Sequence, residues 1–182
     1  AVFICEQQFM ATLIQIPRAI NRTMFASLNE DSFVAPVFRA LFLAIQAAGG
    51  LPPDDAPQGL WMHNLNKAGG LTLTTVINEL AVLQLPLPPS DQDRAVAGSG
   101  VPGAANAAAV QLRPASPAET RYAAELLARL LDMGYMRRIA AARRRMAGMP
   151  EVSEKLELLG EITKLETSRK DLQAQVYGNT VG

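Results

Sequence analysis

From Pro117 to Ala147 the chain runs through 31 residues with no further proline, behind the start signal Ser116-Pro117-Ala118-Glu119. Ser116 is placed to accept from the amide three residues on, Pro117 suits the first helical position, and Glu119 can reach back to the Ser116 amide. Tyr122, Leu126, Leu130, Met133 and Met136 or Arg137 hold one stripe along this run. A helix of that length spans about 46 Å, longer than a small bundle needs. Gly134 is its one weak point, costing about 1 kcal/mol against Ala, and is the place where a bend is expected. Gly148-Met149-Pro150 makes a tight corner, and a last helix is predicted from Glu151 to about Val176. Its stripe Leu158, Ile162, Leu165, Arg169, Leu172 and Val176 steps alternately by four and three, a coiled-coil-like seam with one cation in it. Glu151/Lys155, Glu161/Lys164 and Glu166/Lys170 are spaced to support the helix by a few tenths of a kcal/mol each, about what exposed pairs contribute. Two long helices joined by a short corner fold back as a hairpin.

The amino-terminal half carries the same period in shorter pieces. Phe9, Met10, Leu13 and Ile14 line one face of a helix that ends before Pro17, and a short helix is predicted through Ile20, Met24 and Phe25. Pro36 opens a run in which Val37, Phe38, Leu41, Phe42 and Ile45 recur at three and four until Gly49-Gly50 stops it. Leu60, Trp61, Met62 and Leu65 make another amphipathic piece ending at Gly69-Gly70, and Thr72 is placed to cap a helix carrying Val76, Ile77, Leu80 and Leu83. No segment in this half sustains period-two alternation, so the fold class is all-α, a bundle of short helices followed by a long-helix hairpin.

Between these parts, Ala95 to Ala118 consists mostly of Ala, Gly, Pro and Ser, with almost no bulky side chain to bury. Such a segment cannot recover its ordering entropy, which predicts a flexible low-complexity loop at 91–116. The expected division is a helical bundle at 1–90, that loop, a long helix completing the bundle at 117–136, and a hairpin subdomain at 137–182.

Charge follows the same division. Seventeen Lys and Arg balance seventeen Asp and Glu, which argues against whole-surface attraction to nucleic acid or acidic membranes. Residues 1–90 hold only Arg18, Arg22, Arg39 and Lys67 as cations, so the hairpin half is the charge-dense one. The short apolar opening Ala1 to Cys5 runs straight into Glu6-Gln7-Gln8 and does not read as a signal peptide, and no window is long and apolar enough for a transmembrane helix. The expectation is a cytoplasmic piece of a larger protein.

Catalytic chemistry has few candidates in a chain with one His and one Cys. His63 lacks further ligands at metal-site spacing, Cys5 has no Cys-x-x-Cys partner, and Glu154, Glu157 and Glu161 lack the Glu-x-x-His companions of a carboxylate metal centre. Gly98-Ser99-Gly100 is not followed by the Lys-Ser or Lys-Thr of a phosphate-binding loop. More suggestive are Arg137, Arg138, Arg143, Arg144 and Arg145, which fall on adjoining helix faces as a basic strip able to hold phosphates or a protein partner. The last helix also carries a second apolar row, Val152, Leu156 and Leu159, on a partly different face from the seam. If the hairpin projects, one of the two rows is left for another protein.

Three blocks carry a family resemblance. Glu6-Gln7-Gln8-Phe9-Met10-Ala11-Thr12-Leu13-Ile14-Gln15-Ile16-Pro17 leads an acidic residue into a helix that ends in Gln-x-Pro. Asp31-Ser32-Phe33-Val34-Ala35-Pro36 is an acidic-x-Phe lead into a proline-started helix, and Leu158 to Leu172 is a leucine-rich run that leads to Arg169 and Leu172. In their order these blocks resemble the carboxy-terminal helicase-binding domain of bacterial DNA primase. The resemblance implies a bundle and a hairpin that docks on the amino-terminal domain of the replicative helicase, in a nucleoid-associated replisome, with no chemistry or cofactor of its own. Zinc and magnesium are then expected in upstream domains of a primase, a nucleotidyltransferase. The partner-binding residues it suggests are Leu165, Arg169, Leu172, Val176 and Tyr177, with Arg143 and Arg144 as rim charges. Weak contact with DNA is a further expectation. The alternatives are the amino-terminal domain of the helicase itself, which shares the fold, and a helical nucleic-acid-binding module.

Overall fold

The computed structural model describes residues 2–87 and 114–178, with Tyr177 described by its backbone alone. The low-complexity segment predicted as a loop falls on residues that, up to 113, lie outside this description. The described residues form six α-helices: α1 (Val2–Gln15), α2 (Arg22–Phe25), α3 (Pro36–Ala47), α4 (Gln58–Val82), α5 (Pro117–Ala147) and α6 (Val152–Tyr177). Short 3-10 turns at Pro17–Ala19 and Glu30–Ser32 link the first three. The fold is all-α, a bundle followed by a long-helix hairpin.

Helix α1 is the axis of the bundle. Cys5, Glu6, Phe9, Met10, Leu13 and Ile14 are all buried, so it is covered nearly all round, as an apolar helix in a core must be. It packs against α3, α4 and α5. Phe9, Phe33, Phe42 and Phe25 form a chain of tilted ring contacts with centroids 5.1 to 6.3 Å apart, joining α1, the 3-10 turn, α3 and α2. Gln15, the last residue of α1, donates to the carbonyls of Leu80 at 2.7 Å and Leu83 at 2.8 Å, so one side chain ties the end of α1 to the end of α4.

Glycines set the boundaries of α3 and α4. Gly49 and Gly50 take φ of 99° and 82° just after α3, a left-handed stop open to glycine at little cost. Helix α4 kinks at Gly70, whose φ of 64° and ψ of −171° lie in a region that is essentially glycine's alone. The helical path resumes at once after this kink, so Thr72 lies within a turn rather than capping one. The expected Thr72 cap is thus replaced by the glycine kink, with the Thr74 hydroxyl donating to the Gly70 carbonyl at 2.9 Å.

Helix α5 begins at the predicted signal. The Glu119 amide donates to Ser116 Oγ at 3.2 Å, and Glu119 Oε2 accepts from the Ser116 amide at 2.8 Å. It runs on as one helix through Gly134, where the bare backbone lies against Ser32 of the 3-10 turn. Its first half gives Ala123, Leu126, Leu127, Leu130 and Leu131 to the bundle core; its second half gives Ile139 and Ala142 to a separate small core with Leu158, Ile162 and Leu165 of α6. Tyr135 touches both clusters.

Candidate protein-docking surface

Two apolar rows on α6 compete for one facing helix, and burial decides between them. The seam is inside: Leu158, Ile162, Leu165 and Leu172 are 5 to 8% exposed and face α5. The second row is outside: Val152, Leu156 and Leu159 are 72%, 64% and 46% exposed at the corner end of the hairpin. Among the described residues α6 packs its backbone on α5 alone, while Leu172 and Val176 reach the edge of the bundle core. The hairpin is thus anchored at the end distant from its corner and carries its own small core towards the corner.

The partner-binding residues expected from sequence are dispersed by this geometry. Leu165 is consumed inside the hairpin, Leu172 is buried with the bundle core, and Val176 is half-buried against that core, so none of the three offers a free apolar surface. The physical reason is that α5 covers the seam as far as Leu165, and the bundle core takes Leu172 and Val176 beyond it. The side chain of Tyr177 lies outside the described residues. Arg169, the cation within the seam, is neutralised by a carboxylate of the facing helix. Its Nε donates to Asp132 Oδ1 at 2.6 Å and its Nη2 to Asp132 Oδ2 at 3.5 Å, while Gln173 adds a third donor to the same carboxylate at 3.3 Å. The hydrogen bond to Asp132 and then its charge hold the Arg169 guanidinium above its ordinary pKa. Arg143 pairs with Glu166 at 2.7 Å across the hairpin, so Glu166 turns to the facing helix instead of to Lys170 on its own. With both side chains well exposed, that pair contributes at most about 1 kcal/mol. Arg144 is exposed and makes no hydrogen bond or ion pair with another described residue.

Asp132 and Lys170 flank these arginines and have no signal in the sequence, because Asp132 meets Arg169 across 37 positions of chain. The Arg137 Nη2 bonds the backbone carbonyls of Asp31 at 3.2 Å and Ser32 at 2.7 Å, tying α5 to the bundle. Cys5 lines a cavity of about 250 Å³ with Arg129, Met133 and Leu172, where α1, α5 and α6 meet. No group of three His, Cys, Asp or Glu side chains able to hold a metal occurs among the described residues. No described helix is long and apolar enough to cross a membrane.

The fold is that of a known domain type. It matches the helicase binding domain of primase from Mycobacterium tuberculosis with a TM-score of 0.59 and 20% sequence identity, over 98% of this chain and 94% of that one. No family model and no curated protein matches the sequence.

Proposed function

We propose that this chain is the helicase-interaction domain of a DNA primase, recruiting primase to the replicative helicase and so coupling RNA primer synthesis to DNA unwinding. The observation that carries the reading is the exposed row Val152, Leu156 and Leu159, set on the hairpin of a fold matched over nearly its whole length by a helicase binding domain. In this reading residues 1–90 and 117–136 form a bundle that supports a docking arm at 137–182. The arm engages the helicase amino-terminal domain through that row, with Arg143 and Arg144 at the rim. The domain performs no chemistry; zinc, magnesium and nucleotidyl transfer belong to other parts of the primase, which works in the cytoplasm at the replisome.

An exposed row at helical spacing suits a partner groove or bundle, where each buried leucine contributes about 1.5 kcal/mol or more. Co-purification and calorimetry with the helicase amino-terminal domain test this. Leu156→Asp is expected to weaken binding about tenfold or more, equivalent to about 1.4 kcal/mol, with unchanged thermal unfolding because the side chain touches solvent. Parental affinity in both Leu156→Asp and Val152→Asp removes this surface from the reading, and failure of the parent chain to bind removes the reading itself.

A further inference from the structure

Two grooves flank the second half of α5 and share Ala140 and Arg144 as the ridge between them. The first, of about 620 Å³, lies between α5 and α6 and is lined by Arg143, Arg144, Arg169, Lys170 and Glu166; Glu166 pairs with Arg143 and Asp132 with Arg169, which leaves Arg144 and Lys170 uncompensated among the described residues. The second, of about 480 Å³, lies between α5 and the segment leading into α3, and sets Arg39, Arg137, Arg138 and again Arg144 against Asp31. Helix α5 mixes its charges before Met133, with Glu119, Glu125 and Asp132 beside Arg121 and Arg129, but after it carries five arginines between 137 and 145 and no acid. Arg144 and Arg145 in the last turn offset about half a unit of negative charge at the helix end, but Arg137 and Arg138 stand more than a turn too early for that role.

Two of these cations are fixed without being neutralised. Arg137 is held by the Asp31 and Ser32 carbonyls, and Arg39 donates to the Phe33 carbonyl at 3.1 Å. A carbonyl orients a guanidinium but leaves its charge and its other N–H groups for an anion. Arg138, Arg144 and Lys170 are exposed and make no hydrogen bond or ion pair with another described residue. The floor argues for an extended polyanion over an acidic amphipathic helix. Its exposed larger apolar side chains, Met136 and Val34, sit in different grooves with the small Ala140 and Ala141 between them, so a helix would find no continuous stripe to bury. Phe33 is buried, which leaves no exposed aromatic ring in either lining to stack a base.

We propose that this double groove is a phosphate-backbone track for single-stranded nucleic acid, crossing the Ala140–Arg144 ridge and indifferent to base sequence. It shares Arg143 and Arg144 with the rim of the proposed docking surface but none of the Val152, Leu156 and Leu159 row, and it does not depend on the helicase reading. A chain of zero formal charge has no global attraction for a polyanion, so binding reports this local patch.

Fluorescence anisotropy of the full chain with a labelled oligothymidylate of about 20 nucleotides tests it. At low ionic strength the oligonucleotide binds, and log K falls against log salt with a slope of about −2 to −3.5, corresponding to three to five phosphates. The double variant Arg138→Glu with Arg144→Glu weakens binding at least tenfold, Arg138→Lys with Arg144→Lys retains most of it, and Leu156→Asp leaves it unchanged. An oligonucleotide that does not bind at low salt, or binds the double charge reversal as tightly as the parent, overturns the proposal. Displacement by an equal concentration of polyglutamate of similar length also overturns it, in favour of an acidic protein partner.

Discussion

Glu6 has both carboxylate oxygens committed, accepting from the Val34 amide at 2.7 Å and the Ala35 amide at 3.0 Å, and it is fully buried. Pro36 opens α3 without an N–H, so these two amides just upstream are the ones that need an acceptor. Glu6→Ala leaves both unpaired in the core, and urea denaturation is expected to show a loss of about 3 kcal/mol; a loss below about 1 kcal/mol indicates that water replaces the carboxylate. Beside it, burial pushes the Cys5 thiol pKa up, more than nearby Arg129 pulls it down. The folded state therefore holds this proton more tightly than the unfolded chain. Its contribution is complete below the ordinary thiol value of 9.0 and is lost as pH rises through the higher folded value. Thermal melts should show stability falling above pH 9.0, with Cys5→Ala removing part of that slope; an identical alkaline slope in the variant assigns the loss elsewhere, to Tyr122 first, whose hydroxyl burial also pushes up.

At the scale of elements, two glycines inside helical runs should respond to alanine in opposite directions. Gly70 bends α4 with a positive φ, and although nothing lies within 4 Å of a Cβ built there, the backbone itself disfavours a side chain. Gly70→Ala is expected to cost about 1–3 kcal/mol. Gly134 has no such conformation, and an added Cβ meets Ser32 Cα and Oγ at 3.9 Å, an ordinary contact. Gly134→Ala is expected to raise stability by about 0.5–1 kcal/mol through helix propensity. Equilibrium unfolding of the two variants checks the sign; destabilisation by Gly134→Ala shows that the turn at Glu30–Ser32 must approach more closely than the structure places it. The sequence placed a glycine weakness at both sites, but only backbone angles separate a kink from a straight passage.

For the whole molecule, the attachment of the hairpin depends on Leu172, which is 8% exposed, belongs to the bundle core and walls the cavity beside Cys5. Leu172→Ala is expected to cost about 2–4 kcal/mol and to speed alkylation of the Cys5 thiol in the native state. An unchanged alkylation rate shows that α6 does not guard that cavity. Leu172 was legible as a seam residue from its spacing, and so were the ends of α5 and the corner at Gly148-Met149-Pro150, because caps, prolines and apolar period are local properties of the chain. The candidate surface was only half legible: both apolar rows of α6 stand in the sequence, yet nothing local ranks them. Asp132 is invisible as the partner of Arg169, and Glu6 as the acceptor for Val34 and Ala35, since each meets its partner across a long stretch of chain. By itself, then, the sequence determined an all-helical chain with a bundle and a hairpin, through interactions that span four residues or fewer. The tertiary structure alone decided that Leu165 and Leu172 turn inward and Val152, Leu156 and Leu159 outward, because that choice rests on which face of α6 meets α5.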